Sequence, residues 1–331
     1  MAANSMDELK KTLRGRGFTP RSLGPGETSD EALMRYLRAR NYHADKAAAM
    51  YMATINWREE CGVDELRKVA SGAEVLGSSE LVDLLHKFLP HAQTGFDRAG
   101  GPVIFKHMGS GCRIKQAVSE GISLDALARY NIWLNERYMD ALASAQAREW
   151  SVIIDAAGWH LSLFDSYAFR FLKRTATTDG AHYPDLLHQM IIVNAPPMLA
   201  YAWRVIRTWV DAETREKIEI LSESTPEHTR KILLSRFDEA TLPAQYGGSA
   251  KPLPRWPTRA GIPRAASSTS PSRLAPYSRG AAAHGISSIT SSATEIRVVS
   301  IDLSSHVAAE ITVGAELADG TEIDIKCAEA L

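Results

Sequence analysis

The apolar positions along the chain change their period twice. Between residues 29 and 60, in "SDEALMRYLRARNYHADKAAAMYMATINWREE", Leu33, Tyr36 and Leu37 recur at helical spacing. A second stripe, Ala47, Met50, Ala53, Ile55 and Trp57, is less regular. The break at "ARNYHAD" predicts a helix start there, with Asn41, His43 and Asp45 as candidate caps. These segments are short, and their apolar sides suit packing against a neighbour better than lying free on a bilayer. They predict a small N-terminal helical lobe over residues 1–76.

From Leu81 the pattern differs. "GPVIFKH" (101–107), "EWSVIID" (ending at Asp155), "QMIIVNA" and "IEIL" read as strands. Between and after them, Leu124 to Ala147, "LFDSYAFRFLKRTAT", "MLAYAWRVIRTWV" (198–210), "DAETREK" and "PEHTRKILLSRF" read as helices. Apolar runs that do not alternate, separated by helices, suit parallel strands covered on both faces. The expectation is an α/β layer of four or five strands over residues 77–250. Residues 251–290 are rich in proline, serine and alanine with no apolar stripe, which predicts a flexible linker. Residues 291–331 recover short strands, with a hairpin turn at Asp319-Gly320.

Composition changes this picture little. A chain of 331 residues can bury a sizeable core, and its formal charge of −1 gives no global field to recruit nucleic acid. Three dispersed cysteines, Cys61, Cys112 and Cys327, imply neither a disulfide framework nor a thiolate metal site, and favour a reducing compartment. No apolar run is long enough to cross a bilayer, so any membrane contact is expected to be peripheral.

Enzyme motifs are missing. "GSGC" at 109–112 lacks the spacing of a dinucleotide or phosphate-binding loop, and no HExxH or GxSxG occurs. Asp155 follows a strand, where α/β enzymes place ligands. With His188 it is the least poor hydrolase pair, but a helix-capping or ion-paired role fits Asp155 better. No metal site and no cofactor are expected.

In "MLAYAWRVIRTWV" the residues Leu199, Ala202, Trp203, Ile206, Trp209 and Val210 share one helical face, with Arg204 away from it and Arg207 nearer its edge. The plain reading is a helix packed over the sheet. The alternative is a movable wall over an apolar cavity. An acyl chain gains roughly 0.8 kcal/mol per buried methylene, so it leaves such a cavity most readily when the opening touches a membrane. Two indoles beside two arginines suit that boundary.

Four segments, in order, resemble the CRAL-TRIO lipid-binding and lipid-transfer proteins, and especially the yeast-type phosphatidylinositol/phosphatidylcholine transfer proteins. They are "LMRYLRARNYHADKAAAMYMATINWREECG" (33–62), "DRAGGPVIFKHMG" (97–109), "YPDLLHQMIIVNAPPMLAYAWRVIRTWVDAETREKIEIL" (183–221) and "LPAQYGG" (242–248). The resemblance implies a helical lobe beside a mainly parallel sheet that encloses a lipid pocket, and no catalytic residue. It implies a gate over residues 198–210 carrying Leu199, Trp203, Arg204, Arg207 and Trp209. The pocket is expected to be lined by Ile153, Ile191, Val193, Met198, Ala202, Trp203 and Ile206, with the opposite sheet face as the alternative for the strand members. Head-group contacts are implied for Arg40 and Lys231, although Asn41 stands where the yeast-type proteins carry a lysine. The tail at 291–331 faintly resembles a shortened β-sandwich of the Golgi-dynamics type. The function implied is binding a phospholipid, such as phosphatidylinositol or phosphatidylcholine, and transferring or presenting it at membranes from the cytoplasm. The competing reading is a lipid sensor or scaffold that recruits a protein partner through residues 291–331.

Overall fold

The structure, a computed structural model, describes residues 2–253 and the strands Arg297–Asp302, Glu310–Glu316 and Glu322–Ala328. The chain divides into two units, Met1–Arg264 and Ala265–Leu331. The expected linker lies outside the described residues from 254 onward, as does the expected turn at Asp319-Gly320.

The first unit opens with helices α1 (Ala2–Gly15), α2 (Ser29–Arg38), α3 (Ala44–Glu60), α4 (Val63–Lys68), α5 (Gly72–Leu76) and α6 (Ser79–Phe88). A capping box starts α2, with Thr28 and Glu31 satisfying each other's backbone N–H groups. Leu33, Tyr36 and Leu37 are fully buried against α1 and α3. On α3 the buried positions are Ala44, Ala47, Ala48, Met50, Tyr51, Thr54, Ile55 and Arg58, and Ala47, Met50, Tyr51, Thr54 and Arg58 among them follow a three-and-four spacing. Ala53 is exposed, contrary to expectation, and Thr54 takes the inward place. The irregular stripe arose because two polar residues on this face were passed over. Arg58 is tolerated there because it donates to Asp64 and to buried Glu136.

None of the expected caps for α3 makes a side-chain capping bond. His43 occupies the N-cap position without one. Asn41 and Tyr42 instead take left-handed backbone, with φ of 50° and 62°, which turns the chain between the helices. Asparagine accepts that conformation more readily than most residues.

The remainder alternates strands and helices: β1 (His91–Phe96), β2 (Pro102–His107), α7 (Ile114–Ser119), α8 (Leu124–Ala145), β3 (Trp150–Asp155), α9 (Ser166–His182), β4 (Leu187–Ala195), α10 (Leu199–Ile206), α11 (Ala212–Glu216), β5 (Ile218–Ser222) and α12 (Pro226–Arg236). They build one sheet in the order β1-β2-β3-β4-β5, antiparallel between β1 and β2 and parallel elsewhere. Strand β1, "HAQTGF", has no apolar run and was not anticipated. It exists by pairing with β2 at the sheet edge.

One face of the sheet is closed by α12 and the segment that follows it. Val103, Phe105, Ile153, Ile191 and Val193 pack there on Leu233, Phe237, Leu242 and Tyr246. Tyr246, of the "YGG" motif, stacks on Phe105 with ring centroids 5.8 Å apart and donates to Asp155 Oδ2 at 3.0 Å. Gly247 is left-handed at φ 83°, and a Cβ on Gly248 would stand 1.9 Å from the Leu242 carbonyl oxygen. The motif therefore fastens the chain beneath the sheet. In the second unit, β6 (Arg297–Asp302), β7 (Glu310–Glu316) and β8 (Glu322–Ala328) form an antiparallel sheet in that order.

Candidate functional site

The opposite face of the sheet is hollow. A cavity of about 620 Å³ lies over it, and the strands alternate in what they offer, apart from Leu187 of β4, which also lines it beside a register shift. Ile104 and Lys106 of β2, Trp150, Val152 and Ile154 of β3, Met190 and Ile192 of β4, and Ile218 and Ile220 of β5 line it. The residues between them belong to the packed face. Helices α8, α9 and α10 supply much of the wall at mainly three-and-four spacing, beside single residues of α6 and α7. Helix α8 gives Leu127, Tyr130, Asn131, Leu134, Asn135 and Tyr138; α9 gives Ala168, Phe171, Leu172, Thr175 and Asp179; α10 gives Leu199, Trp203 and Ile206.

This geometry corrects part of the expected pocket. Ile153, Ile191 and Val193 are buried in the packed face and line no part of the cavity. Their neighbours Ile154, Ile192 and Met190 do. Side chains alternate along a strand, so counting one residue out exchanges the faces, and an all-apolar strand does not reveal the error. Of the helical candidates, Leu199, Trp203, Ile206 and Trp209 line the cavity. Ala202 is buried and Met198 half-buried in the small core that anchors α10 to Trp159 and Ala195. Arg204 and Arg207 are exposed.

The helix itself is shorter than the apolar stripe. It ends at Ile206, and residues to Trp209 continue as turns held by Thr208 N–H to Val205 O and Trp209 N–H to Ile206 O. Trp209 meets Phe169 of α9 edge-on, with centroids 4.9 Å apart at 90°. Asp211 then caps α11 by accepting from Thr214 N at 2.9 Å.

The lining turns polar where residues 39–40, 184–185 and 211–217 contribute. Arg40, Asp185, Asp211, Glu213 and Lys217 are the charged members. Arg38 donates to Asp185 at 3.0 Å, and Lys217 lies 3.5 Å from both Glu149 and Glu213. Partial burial pulls the Asp211 carboxyl upward; hydrogen bonds from Thr214 and the Arg40 charge outweigh it and hold Asp211 below its ordinary range. Lys231, expected at a head group, is exposed on α12 and does not line the cavity. Its helix covers the packed face. Lys217 lines this polar part of the cavity instead, and its signal in the sequence is its position just before β5 begins at Ile218.

A second polar group lies on the wall itself. Lys106, Asn131, Asn135, Tyr138 and Asp179 all line the cavity. Asn131 and Asn135 both donate to Asp179 Oδ1, at 3.1 and 2.7 Å. Nothing in the apolar patterning marked this cluster.

The two residues weighed for hydrolysis serve structure. Asp155 sits at the packed face and accepts from Ala157 N, Asn194 Nδ2 and Tyr246 Oη. Burial raises the Asp155 carboxyl, but the His107 ring and these bonds bring it below its ordinary range. His188 is exposed and pairs with Glu149 at 3.3 Å. Among the described residues there is no group of three or more potential metal ligands, and no helix is long and apolar enough to cross a membrane.

A helical lobe beside a five-stranded sheet, with one face packed and the other built around an apolar chamber, defines the class. Residues 91–248 match the CRAL/TRIO domain, and the chain is similar to the yeast-type phosphatidylinositol/phosphatidylcholine transfer proteins, which supports the resemblance read from its sequence. It is 26% identical to the phosphatidylinositol/phosphatidylcholine transfer protein SFH12 of Arabidopsis thaliana over 66% of this chain and 39% of that one. It is 26% identical to the SEC14 cytosolic factor of Eremothecium gossypii, over 74% of this chain and 76% of that one. The chain thus spans about two fifths of the length of the plant relatives it matches. The crystal structure of Sfh5 superposes with a TM-score of 0.56 at 20% identity, covering 76% of this chain and 88% of that one, which agrees in fold.

Proposed function

We propose that the chain binds a phospholipid with its acyl chains in the cavity and exchanges it at membrane surfaces, residues 198–210 acting as the gate. One observation carries this reading: an apolar chamber of about 620 Å³ in the middle of the sheet's helical layer. Left empty, that volume would cost on the order of 15 kcal/mol by the penalty measured for core cavities, as much as a domain's whole stability. Water satisfies it poorly, because most of the lining offers no hydrogen bond. An acyl chain fits the lining and contributes roughly 0.8 kcal/mol for each buried methylene.

The names of the relatives support phosphatidylinositol or phosphatidylcholine as the ligand class. Arg40 and Lys217 supply cationic groups for a phosphate where the lining turns polar, and Arg40 offers a planar fork. The gate has the right parts: Trp203 and Trp209 face inward, Arg204 and Arg207 face outward, and the Trp209–Phe169 contact is a latch that a bilayer can replace. Such a carrier needs no catalytic residue and no cofactor. It would work in the cytoplasm, peripherally on membranes.

Lipid co-purifying with the full chain, identified by mass spectrometry, is the first test; a phospholipid is expected. In vesicle-to-vesicle transfer, Trp203→Asp is expected to lose transfer while its melting temperature changes little. A folded variant that still transfers at the normal rate would remove the gate. Arg40→Ala is expected to weaken pickup of phosphatidylinositol more than that of phosphatidylcholine, and equal weakening would take Arg40 out of the head-group site.

A further inference from the structure

The wall of an apolar chamber is an expensive place for a lysine. Strand β2 turns Ile104 and Lys106 toward the cavity, and Lys106 is paired in register with Ile154 on β3, itself a lining residue. Among the described residues the Lys106 ammonium has no hydrogen bond and no carboxylate within salt-bridge distance. Burial lowers its pKa, and the charge of Asp179 acts against that without a salt bridge between the two. Asp179 is the other half of the anomaly. Its Oδ1 takes both asparagine amides of α8, which stand one turn apart. Among the described residues its Oδ2 accepts none. Burial raises its pKa, and Lys106 and the two asparagines work against the rise. The Tyr138 hydroxyl on the same wall is also buried without a partner.

Two opposite charges face one chamber, Lys106 with no hydrogen bond among the described residues and Asp179 with one oxygen open, and they define what is missing between them. The group must accept from Lys106 and donate to Asp179. We infer that Lys106, Asp179, Asn131 and Asn135 form an inner polar subsite for the neutral hydroxyl end of an apolar molecule. The hydroxyl oxygen accepts from Lys106 Nζ and its proton goes to Asp179 Oδ2. This inference rests on the chamber being a lipid pocket and adds an apolar alcohol to its guests.

Other end groups fit worse. A hydrocarbon end leaves both charges desolvated without a partner in the chamber, which is unfavourable. An ester carbonyl accepts from Lys106 but gives Asp179 nothing. A carboxylate pairs with Lys106 but adds a second negative charge beside Asp179, in surroundings where charge is poorly screened. An inositol head group brings hydroxyls together with a phosphate anion, which meets the same repulsion. The neighbouring His91 does not change the balance. Its Nδ1 donates to the Leu89 carbonyl at 2.8 Å, and burial lowers its pKa to about 4, so the ring is neutral.

The experiment uses three probes that share a pyrene and a twelve-carbon chain and differ only at the far end: pyrenyldodecanol, pyrenyldodecanoic acid and pyrenyldodecane. Each is titrated into the full chain and followed by pyrene fluorescence. The alcohol is expected to bind about tenfold more tightly than the other two, which corresponds to about 1.4 kcal/mol. Lys106→Met is expected to abolish the preference for the alcohol over the hydrocarbon. Should that variant fail to fold, Lys106→Met with Asp179→Asn removes both charges and keeps an acceptor for the two asparagines. Equal binding of all three probes by the unmodified chain overturns the subsite and leaves the chamber intact. So does tightest binding of the acid, or an alcohol preference that survives the loss of Lys106. Failure of every probe to bind overturns the chamber reading itself.

Discussion

Ile153 and Ile154 are adjacent, chemically identical and on the same strand, yet they belong to different parts of the molecule. Ile153 is fully buried among Val103, Ile191 and Phe237 on the face that α12 closes. Ile154 lines the chamber. The packed face holds its shape with protein atoms and with the Tyr246–Asp155 bond. The hollow face is held apart by α8, α9 and α10, whose inward stripes meet space. The sheet thus works as a partition, with stability concentrated on one side and capacity on the other.

Substitutions that treat the two faces alike should therefore give unlike results. The largest contrast comes from truncation. Phe237→Ala, on the packed face, is expected to cost about 3–5 kcal/mol in denaturant unfolding. A loss below about 1 kcal/mol would mean that this face is not the load the fold rests on. Enlargement sharpens the comparison within one dipeptide. Ile153→Phe should destabilise by about 1–3 kcal/mol through overpacking. Ile154→Phe should leave the melting temperature nearly unchanged and reduce lipid uptake. Equal destabilisation by the two would fill the chamber with protein.

Tyr246→Phe tests the polar fastening of the packed face. It leaves buried Asp155 without one donor and is expected to cost about 1–3 kcal/mol, with lipid transfer retained at a temperature well below melting. The smallest effect expected lies at the joint between the helical lobe and the sheet. His182 stacks on Trp57 with centroids 4.0 Å apart, its Nδ1 lies 3.1 Å from the Thr54 hydroxyl, and the charge of Arg58 bears on it. Burial, with Arg58 adding to it, lowers its pKa to about 4. The unfolded chain then takes up this proton first, near pH 6.5. Stability is full above that pH and falls as the pH drops toward 4. Thermal melts between pH 7 and 4 should show the decline, and His182→Gln should make it shallower, with buried His91 keeping its own share. An unchanged slope would mean that His182 is not the group responsible.

Much of this architecture was legible along the chain. Helices α2 and α3 of the N-terminal lobe, four of the five strands of the first sheet and the inward stripe of residues 199–209 are carried by local periodicity, which needs no partner to be read. Strand β1 was not, because "HAQTGF" has no apolar run and its order comes from pairing with β2. The parity of β3 and β4 was not, because strands apolar on both sides carry no mark of which side is which. Lys231 was chosen by analogy along the chain, whereas Lys217 reaches the cavity because β5 starts just after it.

The sequence by itself determined which strongly apolar segments are helical or extended, that both faces of the sheet would be covered, and that one short segment, residues 199–209, would present two indoles inward. Only the tertiary structure decided that one covered face would be filled and the other left open. A stripe of apolar residues specifies that water must be excluded, but not whether side chains or a guest will exclude it. That depends on how far apart the opposing helices stand, a distance set by contacts between residues remote in the chain, and the same long-range meeting brought Lys106 and Asp179 onto one wall.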